Sequence, residues 1–171
     1  NGRYSASCYN NEVEHALKEM YGRRQYKAVG YMQEVVAVVM HRPFKGMPEN
    51  GWGMAWLSAL AADTGSGRQT LSNLCEQAGI EVDAVLTEIN QQPVITDLGV
   101  ENRISEDAFP TLSKVLRSAR TSKEWNAAVA DKLSLGATVM EELGNIYSGA
   151  LPAWFAAGLE EAATNNVNLD G

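Results

Sequence analysis

Two cysteines, Cys8 and Cys75, are all that this 171-residue chain contains. One pair of thiols does not staple a small domain together, so the fold has to rest on a hydrophobic core. Histidine is as scarce, with only His15 and His41, and a zinc site drawn from these alone runs short of ligands. Glu12 and His15 make a single E-x-x-H that does not recur, so the paired spacing of a di-iron bundle is not met. No metal and no cofactor is implied. Positive charge is short too: 14 Lys and Arg face 21 Asp and Glu, for a net charge of -7. A nucleic-acid reader needs a basic face. The densest basic cluster, Arg23, Arg24 and Lys27, reads as a solvated helix end. Long apolar runs are missing as well. The longest, Val35 to Met40, falls far below the ~20 residues that cross a bilayer, so no membrane span is expected. The chain opens on Asn1 rather than Met, which points to a processed form or a fragment. The lack of a leader therefore excludes little, and a cytoplasmic address is only the default expectation.

What is present is an ordinary globular composition, 45% hydrophobic and 20% charged, enough for one well-buried core. The clearest stretch runs from Gly65 to Gln92. Leu71, Leu74, Cys75 and Ala78 recur at helical spacing, Gly79 stops the turn, and Ile80 plugs the corner. Val82, Val85, Leu86 and Ile89 then restart the period, which predicts two short helices joined by a glycine-cornered turn. Cys75 falls on the apolar face and reads as a buried thiol.

Elsewhere the same periodicity predicts a first helix capped by Asn10 or Asn11, with Val13, Ala16, Leu17 and Met20 on one face and Gly22 closing it. Tyr31 to Met40 is expected to be helical, although its β-branched run also suits an extended segment. His41 to Gly53, crowded with proline and glycine, reads as a loop, followed by a helix from about Gly53 to Ala62. Trp52, flanked by glycines there, is the aromatic expected to be partly exposed. A second irregular stretch covers Gln91 to Arg103. Later helices are expected over Ser105 to Ala119, after a Thr121/Glu124 capping box, over Ala137 to Tyr147, and from Pro152 onward through Trp154, Phe155 and Leu159. About eight or nine short helices with almost no alternating pattern predict an all-α globule. It forms a single helical domain over 1–171, with room for two lobes at 10–90 and 104–163 around a linker at about 91–103.

Several motifs carry candidate chemistry. Leu71 to Ile89 fits the sterics of a helix-turn-helix, but its second helix presents Glu81, Asp83, Thr87 and Glu88, and no Lys or Arg lies between Arg68 and Arg103. Carboxylates aimed at a phosphate backbone repel it. Asp63-Thr64-Gly65-Ser66 spells the aspartic-protease tetrad, yet the preceding Ala55 to Ala62 is helical in composition, where that chemistry needs a strand. Gly65, Gly67 and Arg68 form a glycine-rich approach to a helix N-terminus, which can hold an anion. Cys8, just ahead of the expected first helix, is the one plausible nucleophile, with His41 as its base, and no third residue is assignable. Phe44, Trp52 and Trp56 are the aromatics best placed for binding a partner.

The residues around the central pair also resemble the repeat of Clp-type ATPase N-terminal domains. The matching positions are Trp56, Leu57, Ala59 and Leu60, the loop Thr64 to Gly67, then Leu71, Leu74, Ala78-Gly79-Ile80 and Leu86 to Asn90. A looser echo runs from Ile104-Ser105 through Lys114-Val115-Leu116 and Ala119 to Gly136–Leu143. No histidine precedes the Leu-Leu-like pair, the N-terminal third has no counterpart, and no ATPase module follows. The resemblance implies a pseudo-symmetric helical module that docks proteins or exposed segments without chemistry of its own. The leading expectation is thus a non-catalytic interaction or adaptor module that binds another protein or forms a homo-oligomer. The alternatives are a cysteine hydrolase using Cys8 and His41 and a helix-turn-helix regulator.

Overall fold

One helix, α3 (Met47–Ala62), sits centrally, packed against four other helices and a π-helical turn. Its sequence, MPENGWGMAWLSALAA, is apolar on every side, and nearly all of it from Met47 to Ala61 is buried. A helix hydrophobic all round has to sit inside a fold. In the computed structural model, which describes residues 2–44, 46–91, 95, 106–144 and 146–169, the architecture is all-α. In chain order the helices are α1 (Gly2–Arg24), α2 (Ala28–Glu34), α3, α4 (Ser66–Ala78), α5 (Val82–Gln91) and α6 (Pro110–Ala119). After them come α7 (Lys123–Trp125), α8 (Ala137–Leu143) and α9 (Ala150–Asn165). The chain runs on from α7 through a π-helical turn, Asn126–Ala130, and a 3-10 turn, Asp131–Leu133. The described residues contain no strand, and no helix among them is long and apolar enough to cross a membrane.

The start of α3 corrects the expected loop at His41 to Gly53. Pro48 lies in the first turn, where its missing N–H costs nothing. Gly46, at φ +81°, makes the left-handed approach that a side chain resists. Gly51 and Gly53 are not turn residues but close-approach points. A Cβ on Gly51 would lie 2.7 Å from the Tyr9 ring of α1, and one on Gly53 would lie 2.7 Å from Leu116 of α6 and from the Trp125 ring. Trp52 between them is therefore buried, 4% exposed, rather than partly exposed. Its Nε1 donates to the Ala128 carbonyl at 2.8 Å in the π-helical turn. Trp56, one turn on, meets Trp125 edge to face at 6.4 Å. Each such ring removes ~200 Å² from water, about 5 kcal/mol before conformational entropy is subtracted.

Other boundaries move for identifiable reasons. The first helix is not capped at Asn10 or Asn11 but runs through both and past Gly22, ending at Arg24 with Gln25 in the left-handed region. Packing along α3 outweighs the local preference of asparagine for a cap. The helix expected over Tyr31 to Met40 stops at Glu34, and 35–40 has no regular secondary structure. There the β-branched run prevails, and Val38 N–H donates to the Lys132 carbonyl at 2.7 Å. The cap ahead of Trp125 is Ser122, whose Oγ accepts from Trp125 N–H at 3.0 Å, not the Thr121 of the expected capping box. The helix expected from Ser105 begins at Pro110. Of the linker at about 91–103, only Gln91 and Ile95 lie within the described residues, and Ile95 is buried.

The central pair forms as expected. Gly79 takes φ +65°, its N–H donates to the Glu76 carbonyl at 3.0 Å, and Ile80 N–H donates to the Cys75 carbonyl at 2.9 Å. That is a Schellman ending. Cys75 is 1% exposed, and burial pushes its thiol pKa up. One core cluster joins Trp52, Trp56, Leu71, Val85, Leu116, Trp125, Met140 and Trp154, so residues from both halves of the sequence share it.

Candidate docking face

The last two helices set the site. In α9 the sequence ALPAWFAAGLEEA carries two apolar rows at four-residue spacing, Ala150-Trp154-Gly158-Ala162 and Leu151-Phe155-Leu159. Side chains four apart stack on one face of a helix. The first row is buried throughout. The second is left facing water: Leu151 is 46% exposed, Phe155 55% and Leu159 45%. In α8 only Met140 is buried, while Val139 and Leu143 stay about half exposed; in the connecting turn Ile146 is about one third exposed and Tyr147 about three quarters. Of the apolar positions Val139, Met140, Leu143 and Ile146, only Met140 reaches the core.

What fastens this hairpin is mostly directional. Trp154 Nε1 donates to the Leu135 carbonyl at 2.7 Å, and Glu161 Oε2 accepts from Gly136 N–H at 2.7 Å. Gly136, at φ +73°, approaches α9 so closely that a Cβ there would lie 2.6 Å from Gly158 N. Arg42, only 8% exposed, reaches across from the segment before α3. Its guanidinium lies 5.6 Å from the Trp154 ring centre, donates to the Ala137 carbonyl at 3.3 Å and pairs with Glu141 at 3.3 Å.

The electrostatics of the hairpin have one sign. From Leu133 to the last residue the chain contains no Lys, Arg or His. Glu142 and Glu160 are exposed there, while Glu141 pairs with Arg42 and Glu161 accepts from Gly136 N–H, so the hairpin combines an exposed apolar row with a net acidic surface.

The residues singled out from sequence are scattered by comparison. Phe44 is at the surface, about half exposed, whereas Trp52 and Trp56 are buried in the core. Gly65, Gly67 and Arg68 do approach a helix N-terminus, but the Gly67 N–H donates to Asp63 Oδ2 at 2.8 Å, so the chain's own carboxylate takes that place. Arg68 Nη2 donates to the Ala61 carbonyl at the end of α3. Cys8 sits inside α1 rather than ahead of a helix, one turn from Tyr4. A hydrogen bond with Cys8 is the first cause raising the Tyr4 phenol pKa, followed by the charge of Cys8 and by burial. The backbone of His41 does come to α1, its carbonyl accepting from Tyr9 Oη at 2.7 Å. Its ring is exposed, and no hydrogen bond joins it to Cys8 among the described residues. In the α4–α5 pair, Glu88 is turned inward, accepting from Thr111 and Leu112 N–H at 2.8 and 2.7 Å to cap α6. No group of three or more His, Cys, Asp and Glu gathers as a metal site among the described residues.

Sequence reasoning missed Leu151 and named Phe155 and Leu159 only as positions of the last helix. The signal was there: ten residues of α9 from Ala150 contain no charge at all, so the helix is apolar all round, which calls for cover on both sides. Compared with protein-family models, curated proteins and solved structures, the chain matches none.

Proposed function

We propose that the chain is a non-catalytic helical interaction module whose α8–α9 hairpin takes an amphipathic helix with a basic rim from a partner protein. The observation that carries this is the Leu151-Phe155-Leu159 row, apolar and without cover among the described residues. With Val139, Leu143, Ile146 and Tyr147 the hairpin leaves on the order of 600 Å² of apolar side chain in water. That is as much as the largest patch on an ordinary monomer and close to one partner's share, about 800 Å², of a standard interface.

Charge selects the occupant. A second copy docking through this face would set glutamates against glutamates, which costs affinity, whereas a Lys- or Arg-flanked helix would complement the acidic surface. The spacing resemblance to Clp-type N-terminal domains, which implies a docking module, points the same way.

The test uses two synthetic amphipathic helices with the same leucine stripe, one flanked by lysines and one by glutamates, in fluorescence anisotropy. The lysine-flanked helix is expected to bind about tenfold tighter or better and to weaken as salt rises from low to physiological strength. A Phe155→Ser, Leu159→Ser double variant is expected to lose binding while keeping its melting temperature. Equal or absent binding of the two probes would overturn the reading. Light scattering that showed a dimer abolished by the double variant would assign the face to a second copy instead.

A further inference from the structure

A second feature lies away from the hairpin, where α2, α3, α4 and the π-helical turn enclose a cavity of about 290 Å³. Its floor is apolar: Met32, Trp56 and Leu60, all three buried to within a few per cent. Its wall is the π-helical turn itself, through Ala127 and Ala128. A π turn is wider than an α turn and recurs at functional sites. This one is braced from behind, because the Ala128 carbonyl accepts from Trp52 Nε1. The volume sits at the lower end of small-molecule pockets, ~300–1,000 Å³, which suits a ligand of amino-acid size and excludes a dinucleotide.

Two opposite charges line this cavity, Lys132 and Glu124, and they form no ion pair with each other among the described residues. Lys132 is fixed: its Nζ donates to the carbonyls of Gln33, at 3.2 Å, and Val35, where α2 ends. An ammonium has three N–H donors, so one remains beyond those two. Glu124 is exposed and accepts no hydrogen bond among the described residues. A carboxylate and an ammonium that share a pocket without meeting leave a gap for a molecule carrying both complementary charges.

We infer that this cavity binds a zwitterionic small molecule with an apolar tail, an α-amino acid of leucine size being the type. The ligand carboxylate accepts from Lys132, its ammonium donates to Glu124, and its side chain lies on Trp56, Met32 and Leu60. A simple carboxylate would use Lys132 alone with Glu124 repelling it; a simple amine would use Glu124 alone.

Isothermal titration of the full chain with L-leucine, 4-methylvalerate and isoamylamine separates these cases. Saturable binding of leucine is expected, tighter than either singly charged analogue by about tenfold, the value of one charge-assisted hydrogen bond. Glu124→Gln is expected to bring leucine down towards the affinity of 4-methylvalerate. Ala127→Phe, at the exposed wall, is expected to abolish binding, with an unchanged melting temperature showing that both variants fold. The inference fails if leucine gives no saturable heat at roughly 10 mM, far weaker than a built site of this size delivers. It fails equally if an analogue binds as well as leucine, or if Ala127→Phe leaves the affinity intact.

Discussion

At the contact between Gly136 and Gly158, the two glycines are not equivalent. Gly136→Ala introduces two costs. The residue sits at φ +73°, where a Cβ costs roughly 1–2 kcal/mol. That Cβ would also lie 2.6 Å from Gly158 N and 3.0 Å from the carbonyl carbon of Ala157. These are backbone atoms, so no rotamer change relieves the clash and α9 itself has to move. Moving it strains the Trp154–Leu135 and Glu161–Gly136 hydrogen bonds, each 2.7 Å and each worth about 1 kcal/mol net. The sum is about 3–4 kcal/mol, which for a chain of this length lowers the melting temperature by about 6–12 °C. Gly158→Ala is the internal control. Its Cβ meets only Leu135 atoms at 3.6 Å or beyond, ordinary contact, and alanine gains up to ~1 kcal/mol of helix propensity. It is expected to melt at or slightly above the parent temperature. Differential scanning calorimetry gives both numbers, and hydrogen exchange of the α9 amides tells local detachment from global loss. A Gly136→Ala protein melting within about 2 °C of the parent, or a Gly158→Ala protein losing more than it, would refute the close approach that seats the hairpin.

Arg42→Met keeps the buried stem but removes the cation over Trp154, the bond to the Ala137 carbonyl and the pair with Glu141. A loss of about 1–2 kcal/mol is expected, read in urea melts, with a red shift of tryptophan emission as Trp154 is wetted. Burial pushes the phenols of Tyr9 and Tyr21 up to about 12, with Tyr31 adding to the rise at Tyr21. The unfolded chain releases those protons near pH 10, so stability is complete below pH 10 and falls as pH climbs from 10 to 12. Tyr21→Phe flattens that slope in urea midpoints and leaves stability at pH 7 unchanged or higher, because Tyr21 Oη is buried without a hydrogen-bond partner among the described residues.

The fold class was legible because apolar period and punctuation agree over most of the chain, and nowhere better than at Leu71–Ile89. There the glycine that ends α4 does so by a backbone conformation that the sequence alone demands. The start of α3 was not legible, since Pro48, Gly51 and Gly53 are the residues of a loop until their partners are known. What makes them helical is the Tyr9 ring on one side and Leu116 with Trp125 on the other, contacts made by residues more than thirty positions away. The same holds for Asn10, a capping residue that α1 simply runs through. At Val35–Met40, helical spacing and β-branching gave opposite answers, and a single bond from Val38 to a carbonyl of the distant Lys132 accompanies the non-helical form.

The exposed face of the α8–α9 hairpin shows a different limit. Both rows of α9 are readable as apolar, but which row finds cover depends on the seat at Gly136, and that contact is made between two residues with no side chain at all. Local pattern therefore specifies how much apolar surface the hairpin has and leaves its orientation to a few polar clips: Arg42, Glu161 and the Trp154 indole. Those clips fix Trp154 inward and, by helical geometry, hold Leu151, Phe155 and Leu159 outward. The seat's hydrogen bonds hold one row inward and leave the other, apolar, in water. The row's remaining hydrophobic free energy, about 25 cal/mol for each Å² removed from water, is thus available to a partner rather than to the fold.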